Sequence, residues 1–455
     1  MNLYTMLRAR EAASRPIRVG LIGAGKFGTM FLAQAIRTPG LHVMGVADLQ
    51  PEGVRQRAQA VDWPAERIAA RSLDEAAHHG STFVTDYVRA ILTDPRVEVV
   101  VEATGSPEAG LSHALTAIEH GKHVIMVNVE GDVLAGAILA EKAARAGVVY
   151  SYAYGDQPAL ICELVDTVRT NGFIVTAAGK GNRFVTGSNE ITPDTVWASR
   201  GITAEKAKAA GMNPQMFTSF TDGTKAAIES AAVANACGME SPSEGLLFPP
   251  CGIDDLPGVM RPASEGGVLE AKNRVEIAAS TQRDGTPIPN DLRWGVFVVF
   301  EGPSDYACRC FGEYGVRTDS TGRYAAIHRP FHLIGLELGV SIASAALRGE
   351  STGNSREFRA DVAAVAKKDL AIGEVLDGEG GYTVWGRCLP AATSLARNLL
   401  PVGLAHSVRT TRAVKAGEAI TWGDVTGLPD SDALRLRREL EARHRAAHAF
   451  PALAK

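Results

Sequence analysis

Along residues 1–157 the chain switches repeatedly between two hydrophobic regimes. Continuous apolar runs at 17–22, 42–47, 97–101, 123–127 and 148–152 read as strands buried on both faces, as a parallel sheet requires. Between them apolar residues recur at helical spacing. This predicts helices that reach Arg37 and that cover 51–60, 83–93, 108–120 and 133–146. Regular alternation of the two predicts an α/β fold opening with a doubly wound parallel sheet of the Rossmann type, over 1–157. A helix at 158–171 leads out of it. Residues 158–357 mix strand signals (173–178, 275–279, 295–300) with an Ala-rich helix ending near Ala236 and a helix at 332–347, and read as an α+β domain for catalysis and dimerisation. A small β domain is expected over 358–428. There the run 366–376 is echoed by 410–420, each with an apolar start, a Gly-Glu turn (Gly373-Glu374, Gly417-Glu418) and an apolar restart. Asp430-Ser431 would cap a charged helix at 433–446 within a last segment, 429–455, read as a solvated face or a subunit contact.

The break after the first run carries the strongest chemistry. Gly23-x-Gly25-x-x-Gly28 separates the strand from a helix with Phe27, Met30, Phe31 and Ala35 on its apolar side. The first glycine makes the turn, the second admits a pyrophosphate to the backbone, and the third lets helix pack on strand. Lys26 and Phe27 open that helix, whose N-terminus favours phosphate. The second strand ends in Asp48, about twenty residues past the last glycine, where a carboxylate accepts hydrogen bonds from an adenosine ribose. Thr104 and Gly105 follow the strand at 97–101, and Asn128 follows the one at 123–127, both beside the expected nicotinamide. NAD(H) or NADP(H) is therefore expected.

Composition narrows the partners. The 455 residues are 45% apolar and 22% charged, with a net charge of -4 and no basic block, which argues against nucleic acid. No apolar run has the length of a membrane span. Residues 1–16 carry Arg8, Arg10, Glu11 and Arg15 and read as a surface helix, not a leader, so a cytoplasmic protein is expected. The six cysteines show no paired metal spacing; Cys308-x-Cys310 reads as alternation across a strand, and reduced thiols are expected.

Several motifs resemble known families. Residues 121–128, Gly-Lys-His-Val-Ile-Met-Val-Asn, look like the strand of homoserine dehydrogenases that ends in Ala-Asn-Lys, but Val129 stands where that family keeps a catalytic lysine. Residues 126–130, 154–163, 211–217, 247–252 and 293–296, with Tyr324-x-x-x-His328-Arg329-Pro330-x-His332, resemble the deoxyxylulose phosphate reductoisomerase-like oxidoreductases, a group often labelled homoserine dehydrogenase-like. That resemblance covers nearly the whole chain. It implies an NAD(P)-dependent oxidoreductase with a C-terminal SAF-like (β-clip) domain, a homodimer, and a polyol or sugar phosphate as substrate. Its sharpest form is conversion of 1-deoxy-D-xylulose 5-phosphate to 2-C-methyl-D-erythritol 4-phosphate for isoprenoid synthesis.

Such chemistry needs stabilisation of an oxyanion by Lys, Asn or a divalent metal ion, a proton donor, and basic residues for the phosphate. Lys180, between Gly179 and Gly181 after a strand, leads the catalytic candidates. Asp222 and Lys225 lie three apart near a helix start, and Glu229 follows one turn later. Asn213 before Pro214 suits a turn or a substrate hydroxyl equally. Arg183, His328, Arg329 and His332 are the phosphate candidates, the last three only if they converge near a helix start. Glu130 and Asp156 are acids that a metal would need, without a tight cluster. Two other readings remain: an NAD-linked dehydrogenase or oxidoisomerase of a sugar acid or polyol, favoured by Asp48, and a non-catalytic cofactor-sensing protein.

Overall fold

The computed structural model describes residues 2–449; Met1 and residues 450–455, the ends of the first and last expected segments, lie outside them. The chain forms two compact units. Of the described residues, 2–160 and 332–356 make up one, and 161–331 and 357–449 the other.

The first unit is built on six parallel strands: β1 (Ile17–Ile22), β2 (Leu41–Ala47), β3 (Phe83–Thr85), β4 (Val99–Glu102), β5 (His123–Met126) and β6 (Tyr150–Tyr152). Their order is β3-β2-β1-β4-β5-β6, the doubly wound arrangement of dinucleotide-binding folds. β1 and β4 lie at its centre and are buried nearly throughout, which is why they read as uninterrupted apolar runs. β3 corrects the helix expected over 83–93. Phe83–Thr85 pairs with β2 as the edge strand, and only Val88–Thr93 is helical. Three residues of strand are too short to show a period against the helix beside them. The helix expected at 332–347 forms later, at Gly339–Arg348, and belongs here rather than to the middle domain. Leu338, Ile342, Ala343 and Ala345 join Val19, Val99, Val101 and Ile125 in one buried core. The N-terminal helix Leu3–Ala12 buries Leu7 in the same core.

The second unit contains a mixed sheet of β7 (Ile174–Asn182), β8 (Arg274–Ala279), β9 (Val296–Glu301), β10 (Arg317–Thr318) and β11 (Tyr324–Arg329), in the order β10-β11-β9-β7-β8. β7 runs parallel to β8 and antiparallel to β9. Helix Thr224–Cys237 packs on β8 with one side and on β12 (Ala360–Ala366) and β14 (Val384–Pro390) with another. Its residues are therefore buried almost all round, and small alanines let both layers approach. β12 and β14 form an antiparallel pair, while β13 (Val375–Asp377), β15 (His406–Thr410) and β16 (Val425–Thr426) form a second small sheet.

The internal repeat becomes a pseudo-twofold pairing. Leu370 and Val414 exchange backbone hydrogen bonds at 2.8 and 3.0 Å, and Glu374 and Glu418 accept from the backbone of Ala371 and Lys415 in equivalent turns. Lys368–Glu374 and Arg412–Glu418 are matching ion pairs. Helix Asp432–Ala449, capped by Ser431, is not simply a solvated face. Arg437 is fully buried, with both guanidinium nitrogens on Asp361 at 2.9 and 2.6 Å. Cys308 and Cys310 lie on helix Asp305–Glu313, not on a strand: Ser304 caps that helix, and a two-residue spacing fits either element. Among the described residues no helix is long and apolar enough to cross a membrane.

Candidate active site

In the first unit the glycines do what their spacing required. Gly23 has φ +87°, and a Cβ there would lie 2.6 Å from the Ala103 carbonyl oxygen. A Cβ on Gly28 would lie 2.6 Å from the Gly23 carbonyl, so helix Lys26–Ala35 can pack on the turn only through glycine. Gly25 is different: a Cβ there meets nothing within 4 Å. That open side lies at the helix N-terminus, with Lys26 exposed and Phe27 half-buried beside it, and fits a pyrophosphate. Asp48, the expected ribose ligand, has a structural task. Its carboxylate accepts from the backbone N–H of Ala24 (2.8 Å) and of Gln50 (2.9 Å), tying the end of β2 to the glycine turn, with the Arg57 guanidinium 3.7 Å away.

The loop after β4 is held by a residue outside the expected set. Glu102 is fully buried; its Oε1 accepts from Thr104 Oγ1 at 2.5 Å and lies 3.4 Å from His113 Nδ1, while Oε2 makes no hydrogen bond among the described residues. An acid closing an otherwise β-branched run was the available signal. Gly105 is exposed with φ +72°. Asn128 is 2% exposed and caps helix Val129–Arg145: Oδ1 accepts from Gly131 N–H (3.0 Å) and Nδ2 donates to Ser106 O (2.7 Å). It joins the two loops, and its amide is committed on both sides. Deeper in the unit, Asp132 accepts from Tyr150, Tyr152 and Ser355 hydroxyls at 2.9, 2.9 and 2.7 Å. Burial pushes its carboxyl up to about 6.

In the second unit Lys180 lies within β7, not in a turn after it, and is 8% exposed. Its neighbours explain the glycines: a Cβ on Gly179 would lie 1.8 Å from Glu276 O, and one on Gly181 1.9 Å from Leu292 O. Lys180 Nζ donates to Glu229 Oε2 from the adjoining helix, and Glu229 is 3% exposed. Lys225, half-buried, precedes Glu229 by one helical turn. Lys180 and Glu229 thus meet across two elements, and Lys225 shares the helix face of Glu229.

Other candidates do not join them. Asp222 is fully buried and takes Lys367 of the C-terminal β module at 2.8 Å, besides the N–H of Thr224. Lys367 also donates to the carbonyls of Ile191 and Gly381. Asp222 thus anchors two segments, and a partner so distant in sequence was invisible to local spacing. Burial raises its carboxyl above the ordinary range although Lys367 opposes the shift. Asn213 is the exposed cap of helix Pro214–Thr221, accepting from Gln215 and Met216 N–H. His328 and Arg329 are successive residues of β11 and so leave it on opposite faces, and the helix at whose start they were expected begins only at Gly339. His332 belongs to the first unit, His328 and Arg329 to the second. Arg183 directly follows β7 and is half-buried. Among the described residues no three His, Cys, Asp or Glu side chains are grouped to hold a metal ion, and Glu130 with Asp156 does not supply one.

Comparison with known proteins gives two adjoining family matches. Residues 17–130 match "Oxidoreductase family, NAD-binding Rossmann fold", and residues 155–338 match "Oxidoreductase DRL, catalytic domain". A 1-deoxy-D-xylulose 5-phosphate reductoisomerase from Rhodopseudomonas palustris (strain BisB18) is 28% identical over 313 residues, spanning 65% of this chain and 71% of that protein. A homoserine dehydrogenase from Methylobacillus glycogenes is 33% identical over 116 residues, 25% of each chain. Among solved structures, a homoserine dehydrogenase from Thiobacillus denitrificans aligns with a TM-score of 0.43 at 17% identity, covering 73% of this chain and 74% of that one.

Proposed function

We propose that this chain, an NAD(P)-dependent oxidoreductase by its two family matches, rearranges and reduces 1-deoxy-D-xylulose 5-phosphate to 2-C-methyl-D-erythritol 4-phosphate. The observation that carries the reading is the buried Lys180–Glu229 pair inside the region that matches the catalytic domain of an oxidoreductase family. The name of the Rhodopseudomonas relative supplies the substrate. When bound, NAD(P)H supplies hydride to the carbonyl formed by the rearrangement. Lys180 hydrogen-bonds the substrate oxygen on which negative charge develops and gives it a proton. Glu229 holds the ammonium in place, and Lys225 adds a second positive charge on the same side. Gly23, Gly25, Lys26 and Gly28 bind the pyrophosphate, and Asp48 the ribose. The described carboxylates and imidazoles do not fit a metal ion, so no step is routed through one. The C-terminal β module, whose paired repeats support an SAF-like assignment, completes a homodimeric enzyme in this reading.

The test is direct. Purified full-length protein is incubated with deoxyxylulose phosphate and NADPH or NADH, with and without a divalent ion, and nicotinamide absorbance is followed. Consumption with formation of methylerythritol phosphate is expected; an unchanged trace in every arm overturns the assignment. Asp48 favours a second reading, an NAD-linked dehydrogenase of a sugar acid or polyol, because its carboxylate repels a 2′-phosphate. A substrate panel in the same assay distinguishes it.

A further inference from the structure

Three arginines belonging to separate segments converge where β7 ends, and only Arg183 among them was a phosphate candidate in the sequence. We propose that Arg183, Arg200 and Arg293 form an anion subsite that takes the phosphate end of the substrate, with Lys180 three residues upstream at the reacting end. This rests on the reading of the second unit as a site for a small phosphorylated carbonyl compound.

The positions are fixed by backbone contacts. Arg183 leaves β7 directly after Asn182. The chain at Leu292-Arg293 presses on Gly181, where a Cβ would lie 2.8 Å from Arg293 N. Arg293 Nε reaches Ser280 Oγ at 3.4 Å, and Ser280 N–H donates to Asn182 O at 2.8 Å. Asn182 Nδ2 in turn donates to Phe220 O at 3.4 Å, and the next residue, Thr221, accepts from Arg200 Nε through its hydroxyl at 3.0 Å. The Arg200 guanidinium lies over the Phe217 ring, 5.3 Å from its centroid, and Trp197 packs against that ring. All three side chains are half-buried.

What they lack is compensating charge. Among the described residues Arg183 makes no hydrogen bond or ion pair, and Arg200 has a hydroxyl and an aromatic face but no carboxylate. Arg293 has only Asp291, at 3.7 Å. Burial and the facing guanidiniums of Arg183 and Arg293 lower the proton affinity of Arg200. Three like charges held together away from bulk water are unfavourable until an anion joins them, and arginine forks match phosphate oxygens bidentately. A neutral sugar, or a sugar with one carboxylate, would leave part of that charge unmet.

The probe is inorganic phosphate, titrated calorimetrically into full-length protein with NADH at saturation so that the pyrophosphate turn is filled. We expect one saturable site, weakened roughly tenfold or more in Arg183→Gln and in Arg200→Gln, the share of a charge-assisted hydrogen bond. Arg200→Lys should recover only part of the loss. Arg183 supports nothing else in the fold, so Arg183→Gln tests the subsite even if an Arg200 variant is poorly folded. No saturable phosphate binding, or equal affinity in wild type and Arg183→Gln, overturns the subsite. A subsite that behaves as expected in a protein that leaves deoxyxylulose phosphate unconsumed survives while the proposed substrate falls. Turnover of that substrate with unchanged KM in both variants does the reverse.

Discussion

Lys180 and Glu229 are withdrawn from water together, and that is costly. Desolvating two charges cancels much of their attraction, so such a pair adds little net stability, whereas removing one partner strands the other. Lys180→Met should therefore cost about 3–5 kcal/mol in urea unfolding, because the buried Glu229 carboxylate loses its Lys180 ammonium. It should also lower kcat about 10²–10⁴-fold. The double variant Lys180→Met/Glu229→Leu should regain most of the stability and none of the turnover; recovery of turnover would remove Lys180 from the chemistry. Asp48 separates two tasks in the same way. Its hydrogen bonds to Ala24 and Gln50 hold the turn, while its charge selects the cofactor. NADH should bind more tightly than NADPH, and Asp48→Asn should narrow the gap between their dissociation constants; an unchanged ratio would shift selection to Arg57 or elsewhere. At this scale the sequence was legible where chemistry follows local order. The glycine turn between β1 and its helix was read that way. Local order misled where a partner lies far along the chain. Nothing near Asp222 announces Lys367, and nothing near Arg183 announces Arg200 or Arg293.

Elements were legible in proportion to their periodicity. β1, β4 and β5 were plain because central parallel strands are apolar on both faces, whereas β3 was hidden by its three residues and edge position. The 366–376 and 410–420 repeat could be seen in sequence, but not that its two copies pair with each other. That symmetry is testable. Gly373 and Gly417 have φ of +81° and +80°, and a Cβ on either meets nothing within 4 Å. Alanine at each position therefore tests backbone strain without a clash, at about 1–2 kcal/mol apiece. Chemical denaturation of Gly373→Ala and Gly417→Ala should give nearly equal losses, additive in the double variant if the two turns are independent. A large difference between them would show that the turns are equivalent in shape only. Helix Thr224–Cys237 follows the same logic of position. It is small-residue and buried because two layers close on it, so Ala231→Leu should cost about 1–3 kcal/mol by overpacking, read from the urea midpoint.

The whole chain carries a formal charge of only -4, so its response to pH is governed less by general repulsion than by a few buried carboxyls. They pull in opposite directions. Asp361 is fully buried, but two contacts from Arg437 hold its carboxyl below the ordinary value of 3.8, against the upward pull of burial. A depressed folded value contributes stability above 3.8 that is lost as pH falls through the folded value. Asp132 in the first unit and Glu276 in the second behave oppositely. Burial pushes them to about 6 and about 7, from 3.8 and 4.5, despite the hydroxyls around Asp132 and the N–H groups of Leu247, Phe248 and Ile277 around Glu276. Between each pair of values the folded chain holds the proton that the unfolded chain has released, so stability falls as pH rises through that window. The protein should accordingly be more stable in urea near pH 5 than near pH 8. Asp132 contributes about 1.4 kcal/mol of that difference, because only about one unit of its window lies above pH 5, at 1.36 kcal/mol per unit. Asp132→Asn keeps the side chain's size and removes its titration. Urea midpoints of wild type and variant at the two pH values decide the matter, because the two curves should differ in slope between pH 4 and 6 and run parallel above 7. Parallel curves throughout would mean that Asp132 stays ionised in the folded state, stabilised by Tyr150, Tyr152 and Ser355 more strongly than burial opposes it.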